Sequence, residues 1–326
     1  TAFRLVLRHR VHERIQAIRD AGYPVNAEEL DEWYEEPPPG ENAADVYLKA
    51  FEALVPPTEK EIEQLPWVGK AEPPAPHGPV SQELASAIQT HLDANRDAIR
   101  LLHEGAGRER CRYPVDLSEL ENRDLPHLED VMDGAELLSL SAYWHAVSGE
   151  PQAATDALAA SYALADSLVQ EPQITSQLTR YSVHAVGLSA LEHALCRRRL
   201  PHGVLDQMTA LLRKVTTAKG ALHRALMGER AWMLPVLQRF SMLQWTGHQQ
   251  KAKLACLDMV EKYDRALQEP FPRRLQACRR VAAELSAKAD EGGWADTLLL
   301  LVRPMFYVIV PVQATNQVRL RSALTA

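Results

Sequence analysis

Apolar residues recur at three- and four-residue intervals over most of the chain, the period of helices with one buried face. Val11, Ile15 and Ile18 form the opening stripe, and Ala21-Gly22 predicts its end. Asn26-Ala-Glu-Glu29 reads as a cap for a short helix through Tyr34, which Pro37-Pro38-Pro39-Gly40 closes. Ala43, Tyr47, Ala50 and Leu54 share the next face, and Thr58-Glu-Lys-Glu61 offers a second cap. Five prolines between Pro66 and Val80 exclude a regular helix or a central strand there. This segment marks the expected boundary between an N-terminal arm of short helices with a Pro-rich end (residues 1–80) and a helical-repeat-like body (81–326).

In the body, Ser81 caps what the spacing predicts to be one long helix, with Leu84, Ile88, Leu92, Ile99 and Leu102 on its stripe. Pro126 sits just inside the next helix start. Gly149-Glu-Pro151 gives a stop and restart before Ala154, Leu158 and Ser161. After Pro172 the stripe runs through Ile174, Leu178, Tyr181, Ala185, Leu188 and Leu195, and Val204, Met208, Leu211 and Val215 repeat it. Further helices are expected over 218–244, with a kink at Pro235, and over 249–268, 272–290 and 312–326. Only Met305–Val310 reads as a candidate strand, without an evident partner. The predicted fold is all-α, built of stacked antiparallel hairpins. Two turns echo each other: Trp144 and Gly149 precede Ala154 as Trp245 and Gly247 precede Ala252. That spacing resembles tetratricopeptide hairpins, although the rest of the repeat signature is missing, so a solenoid-like or tetratricopeptide-like array is expected.

Charge adds an asymmetry to this picture. The net charge is −7, yet Asn26–Glu63 holds 12 acidic residues against Lys49 and Lys60, while Arg197–Arg280 holds 17 basic and 6 acidic residues. The favoured reading packs the acidic arm near the basic half of the same chain; the alternative is an anionic partner. Arg197-Arg198-Arg199 falls where a helix is predicted to end, a place where cations favour the helix dipole. No basic–aromatic interleaving supports a nucleic-acid partner. The apolar stretch Thr297–Val310 is broken by Arg303-Pro304 and is too short to span a bilayer.

Candidate chemistry is sparse. Cys111, Cys196, Cys256 and Cys278 include no CxxC pair, and the 12 histidines are scattered, so neither a metal nor a cofactor is expected. No GxSxG, P-loop or GxGxxG occurs, and no catalytic residue is assigned. The densest cluster of functional groups is CRYPVDLSE at 111–119. Arg112 there is suited to bridge helix carboxyl ends or acidic side chains, and Asp116 or Ser118 to bond nearby amides. Cys111 between Arg110 and Arg112 is a candidate for a lowered thiol pKa. Glu229-Arg230, between Met227 and Trp232, reads as a buried charged pair. The loop is read first as a pin between helices. If it walls a binding pocket instead, the residues are Arg112, Tyr113, Asp116, Glu229 and Arg230.

Three stretches carry a resemblance: Ala21–Leu54 (AGYPVNAEELDEWYEEPPPGENAADVYLKAFEAL), Leu65–Glu72 (LPWVGKAE) and Cys111–Leu117 (CRYPVDL). With Ile174–Arg180 and Gly228–Ala231 in the same order, the chain resembles a family of uncharacterised bacterial envelope proteins over most of its length. The resemblance implies an extracytoplasmic location, a membrane-anchoring helix ahead of Thr1 and further chain beyond the segment near Arg319. It carries no activity and no catalytic residue. The expected function is therefore a non-enzymatic helical scaffold that binds another protein in the envelope and makes no membrane contact through this portion. The alternative is a small-ligand-binding protein or hydrolase-like enzyme with a pocket near the CRYPVD loop.

Overall fold

The computed structural model describes residues 2–75, 78–118, 125–196, 201–217, 220–239, 248–290 and 303–323. Among these residues the protein is all-α, with 14 helices and no strand. Asn42–Arg110 and Pro66–Ala71 form only isolated bridges. No helix among the described residues is long and apolar enough to cross a membrane.

Local signals place the arm helices. α1 (Ala2–Asp20) buries Leu7 and Val11 and ends where Gly22 turns left-handed at φ 80°, letting the Tyr23 N–H reach the Ile18 carbonyl at 3.1 Å. α2 (Ala27–Trp33) starts at Asn26, whose side chain accepts from the Glu29 N–H at 2.8 Å. α3 (Ala44–Glu52) follows, and Thr58 and Glu61 form the capping box of α4 (Glu59–Gln64).

The long helix expected after Ser81 is two helices, α5 (Gln82–Ala94) and α6 (Arg96–Ala106). Asn95 divides them at φ −100°, ψ 15°. It is buried, and its side chain accepts from the Val55 N–H at 2.8 Å and donates to the Val55 carbonyl at 3.1 Å. Satisfying an arm residue's backbone in this way outweighs continuing the stripe.

α7 (His127–Ser148), α8 (Pro151–Asp166) and α9 (Ile174–Leu195) form the centre, with α7 packed along both of the others. Gly149 at φ 85° ends α7 and Pro151 opens α8. α10 (His202–Thr217), α11 (Ala221–Arg239, containing Pro235), α12 (His248–Gln268), α13 (Arg273–Asp290) and α14 (Arg303–Ala323) complete the order. α11 packs on α12 and α12 on α13, consistent with stacked hairpins. The candidate strand Met305–Val310 lies inside α14. Pro304 falls in that helix's first turn, where its missing N–H breaks no intrahelical bond, and the described residues include no strand to pair with it. Trp245, Gly247, Arg197–Arg199 and residues 297–302 lie outside the described residues.

The interior is divided among the helix pairs. Tyr47, Leu102, Tyr113, Leu138 and Leu164 fill the space between α3, α6, α7 and α8. Tyr181, Leu226, Met233, Leu257 and Met259 fill the space between α9, α11 and α12. The arm is not a separate unit in its contacts: α1 lies on α12, α2 on α11, α3 on α6 and α7, and α4 on α5. Part of the acidic arm thus meets the basic half, with the Arg224 guanidinium 4.2 Å above the Trp33 ring.

Candidate functional site

The 111–117 loop is tied to the arm from both sides of its backbone. Asn42 accepts from the Arg112 N–H and donates to the Arg112 carbonyl, each at 2.9 Å. The Arg112 guanidinium then reaches the C-terminal end of α2. It pairs with Asp31 at 2.8 Å, donates to the Tyr34 carbonyl and lies 4.9 Å from the Tyr34 ring centre. Helix ends leave carbonyls without intrahelical partners, and a five-donor fork is suited to serve them.

Beneath the loop lies a buried polar chain. Tyr113 is fully buried, stacked 4.2 Å from His127, and its hydroxyl meets Ser167 Oγ at 2.9 Å. Because Ser167 Oγ donates to the Leu164 carbonyl at 2.6 Å, the Tyr113 hydroxyl is the donor. His127 Nε2 hydrogen-bonds the Glu171 carboxylate at 2.9 Å, and Ser176 Oγ donates to its other oxygen at 2.8 Å. Gln177 Nε2 donates to the Leu168 carbonyl at 2.8 Å, which fixes the turn between α8 and α9.

The thiol expected to be activated is the reverse. Burial, reinforced by Glu171, pushes Cys111 up to about 12, so it stays protonated and is a poor nucleophile. The flanking cations are directed elsewhere, Arg110 towards Glu41 at 3.9 Å and Arg112 onto α2. Burial also raises the Tyr34 hydroxyl, with Glu171 and Cys111 adding to the shift. The Tyr34 Oη has no hydrogen-bond partner among the described residues.

The remaining candidates serve several segments. Asp116 is exposed and accepts from the Ser118 N–H at 2.8 Å. Leu117 packs with Leu30, Tyr34 and Ala231. Glu229 is fully buried and accepts from the Ile174 N–H at 3.3 Å, at the head of α9. Arg230 is 6% exposed and donates to the Pro24 carbonyl at 3.2 Å, so these two neighbours in sequence serve different segments. The five residues thus serve different segments: Arg112 holds the end of α2, Tyr113 meets Ser167, Asp116 bonds Ser118, Glu229 holds the head of α9 and Arg230 the Pro24 carbonyl.

The cleft beside the loop has a volume of about 360 Å³ and is built from other side chains. Glu35 and Glu36 from the exit of α2, Glu109 ahead of the loop and Asp166 at the end of α8 supply four carboxylates. Arg110 and Arg224 supply two cations, and Tyr34, Cys111 and Ser167 belong to its lining. Asp166 is already held by Arg180 at 2.8 Å, whereas Glu35, Glu36 and Glu109 are exposed. Arg224 could have been foreseen, since it stands seven residues before Ala231 and so shares the face of α11 that meets α2. Asp166 and Ser167 carry no such signal.

Among the described residues no group of three or more His, Cys, Asp or Glu side chains is placed to hold a metal ion. Comparison with protein-family models, with curated proteins and with solved structures gives no match.

Proposed function

We propose that this protein is a non-enzymatic helical scaffold that binds another protein, taking a basic segment of that partner into the cleft beside α2. The observation that carries this reading is the cleft's charge pattern. Three exposed carboxylates, Glu35, Glu36 and Glu109, face it, while Arg224 is stacked on Trp33 and Arg110 is drawn to Glu41. A Lys- or Arg-bearing segment gains attraction there, and such rim charges chiefly raise association rate and set specificity. The tetratricopeptide-like spacing of the Trp144–Ala154 turn belongs to the same proposal, because stacked helical pairs present extended binding surfaces. The envelope location, with a membrane anchor outside this portion, rests on the family resemblance.

The cleft's volume favours one other reading, a small-ligand site, because 360 Å³ lies within the range of ligand pockets. One experiment separates the two. The full-length protein and a Glu35→Lys/Glu36→Lys variant are purified from native envelopes and weighed by native mass spectrometry. A protein-sized addition that the charge reversal removes is the expected result. An addition of small-molecule size would favour the ligand reading, and a partner retained by the variant would sink the proposed cleft.

A further inference from the structure

The segment that carries α4 is fastened to the junction of α5 and α6 by one buried histidine and its neighbours. His91 is 3% exposed and lies one turn before Asn95, the residue that divides the two helices. Asn95 Oδ1 accepts the Val55 N–H at 2.8 Å, which fixes the other terminal atom of that side chain as the amide nitrogen. The amide donates to the Val55 and His91 carbonyls, each at 3.1 Å, and stands 3.4 Å from His91 Nε2. On the other side of the ring, His91 Nδ1 stands 3.6 Å from Glu61 Oε1. The second Glu61 oxygen accepts the Thr58 N–H at 2.8 Å, within the capping box of α4.

This arrangement suits a neutral imidazole. With the proton on Nδ1, towards the carboxylate, Nε2 offers a lone pair to the Asn95 amide. A second proton, on Nε2, points at N–H donors, has no acceptor and lies where burial penalises charge. Glu61, on α4, is the charged group that faces the ring and favours the cation. Burial outweighs it and holds His91 below the usual histidine range. α7 meets α5 through Leu140 and Tyr143 around Ile88, while Asp93 and Arg96 pair with each other in solvent at 2.7 Å.

We propose that His91 is an acid-sensitive catch: proton uptake on Nε2 displaces the Asn95 amide, and residues 53–65 come off the α5–α6 junction while the central helices stay folded. Opening returns His91 to the ordinary histidine pKa of about 6.5. Because the closed form holds a lower value, closure is favoured above that pH and is lost as pH falls below it. Release uncovers Leu65, which the closed form buries fully against Ile88, Leu140 and Tyr143. His91, Asn95 and Glu61 take no part in the lining of the cleft beside α2, so the catch is independent of the function proposed for that cleft.

Amide hydrogen exchange on the full chain, corrected for the intrinsic effect of pH on exchange, tests this by comparing about pH 7.5 with about pH 5. Protection over residues 53–65 is expected to fall about tenfold at the lower pH, where proton linkage sets a ceiling of about thirtyfold, while α7, α8 and α9 keep theirs. In His91→Gln, which does not titrate, the segment should be equally protected at both pH values. Exchange of the His91 C2–H in the wild-type protein reads its pKa directly, which is expected below the ordinary value, and keeps the test decisive if His91→Gln does not fold. Unchanged protection of residues 53–65, an equal fall across α7 to α9, the same pH dependence in His91→Gln, or a His91 pKa at or above the ordinary value would each overturn the proposal.

Discussion

Among the described glycines Gly228 leaves the least room for a side chain, and replacing it with alanine tests how α11 is seated. A Cβ at that position would stand 1.8 Å from the Pro172 carbonyl oxygen, where ordinary contact begins at 3.4 Å. The obstacle is backbone in the turn between α8 and α9, so no side-chain rotation relieves it. That turn or α11 must move, and Glu229, the next residue, then loses its hold on the Ile174 N–H. Overpacking of this kind costs about 1–3 kcal/mol or more. Loss of a hydrogen bond to a buried carboxylate adds about 1.5–3 kcal/mol. The better helix propensity of alanine returns about 1 kcal/mol. The net expectation is a loss of about 3 kcal/mol. With an unfolding entropy near 2.1 cal/mol/K per residue over 326 residues, this lowers Tm by about 4 °C. Urea unfolding followed by far-UV circular dichroism measures the difference. Gly203→Ala is the control, since nothing lies within 4 Å of its Cβ, and it should be neutral or stabilising by up to about 1 kcal/mol. A Gly228→Ala protein within about 0.5 kcal/mol of wild type, no worse than a harmless surface change, would refute the reasoning.

Three further outcomes are expected. Burial, with Asp133 adding, raises Glu136 to about 7, so its protonated form favours folding below that pH and the contribution is lost as pH rises through it. Glu136→Gln should therefore gain stability relative to wild type between pH 5 and pH 8, by about 1–2 kcal/mol after solvent screening, and a pH-independent difference in urea midpoints would contradict this. Asn95→Ala strips the Val55 backbone of both its partners and should cost about 2–4 kcal/mol, with faster proteolytic clipping after α3 as the local readout. In the native protein at pH 8, Cys196 is exposed and should be labelled first by a disulfide reagent, whereas Cys111, Cys256 and Cys278, whose pKa values burial raises, should react mainly on unfolding; peptide mapping checks the order.

The features legible in the sequence are those whose cause is local. Asn26, Thr58, Ser81 and Gly149 act within a few residues of themselves, and each stands at a helix end. The break at Asn95 was not legible because its partner Val55 is 40 residues away. Met305–Val310 looks like a strand by β-branched and aromatic content, yet a strand needs a neighbour, and the described residues, all helical, supply none. At the site, Arg112 sits where an extended loop bearing a cation meets a helix end. Its neighbour Cys111 misled because adjacency in sequence does not show where the flanking guanidiniums point. The cleft residues Asp166 and Ser167 lie in an ordinary-looking helix end, and only the docking of α2 makes them part of a wall.

The contact of α1 with α12 has a consequence for the order of assembly. Arg14 and Asp258 are 244 residues apart, whereas α7, α8 and α9 follow one another and meet through short turns. Closing so long a loop is slow in entropy terms, so the central three helices are expected to collapse early and α1 to dock last. Elements joined late by few apolar contacts also open at the lowest free energy, and α1 buries only Leu7 and Val11. The ion pairs of Arg14 with Asp258 and Glu261 therefore form only as the molecule is finished.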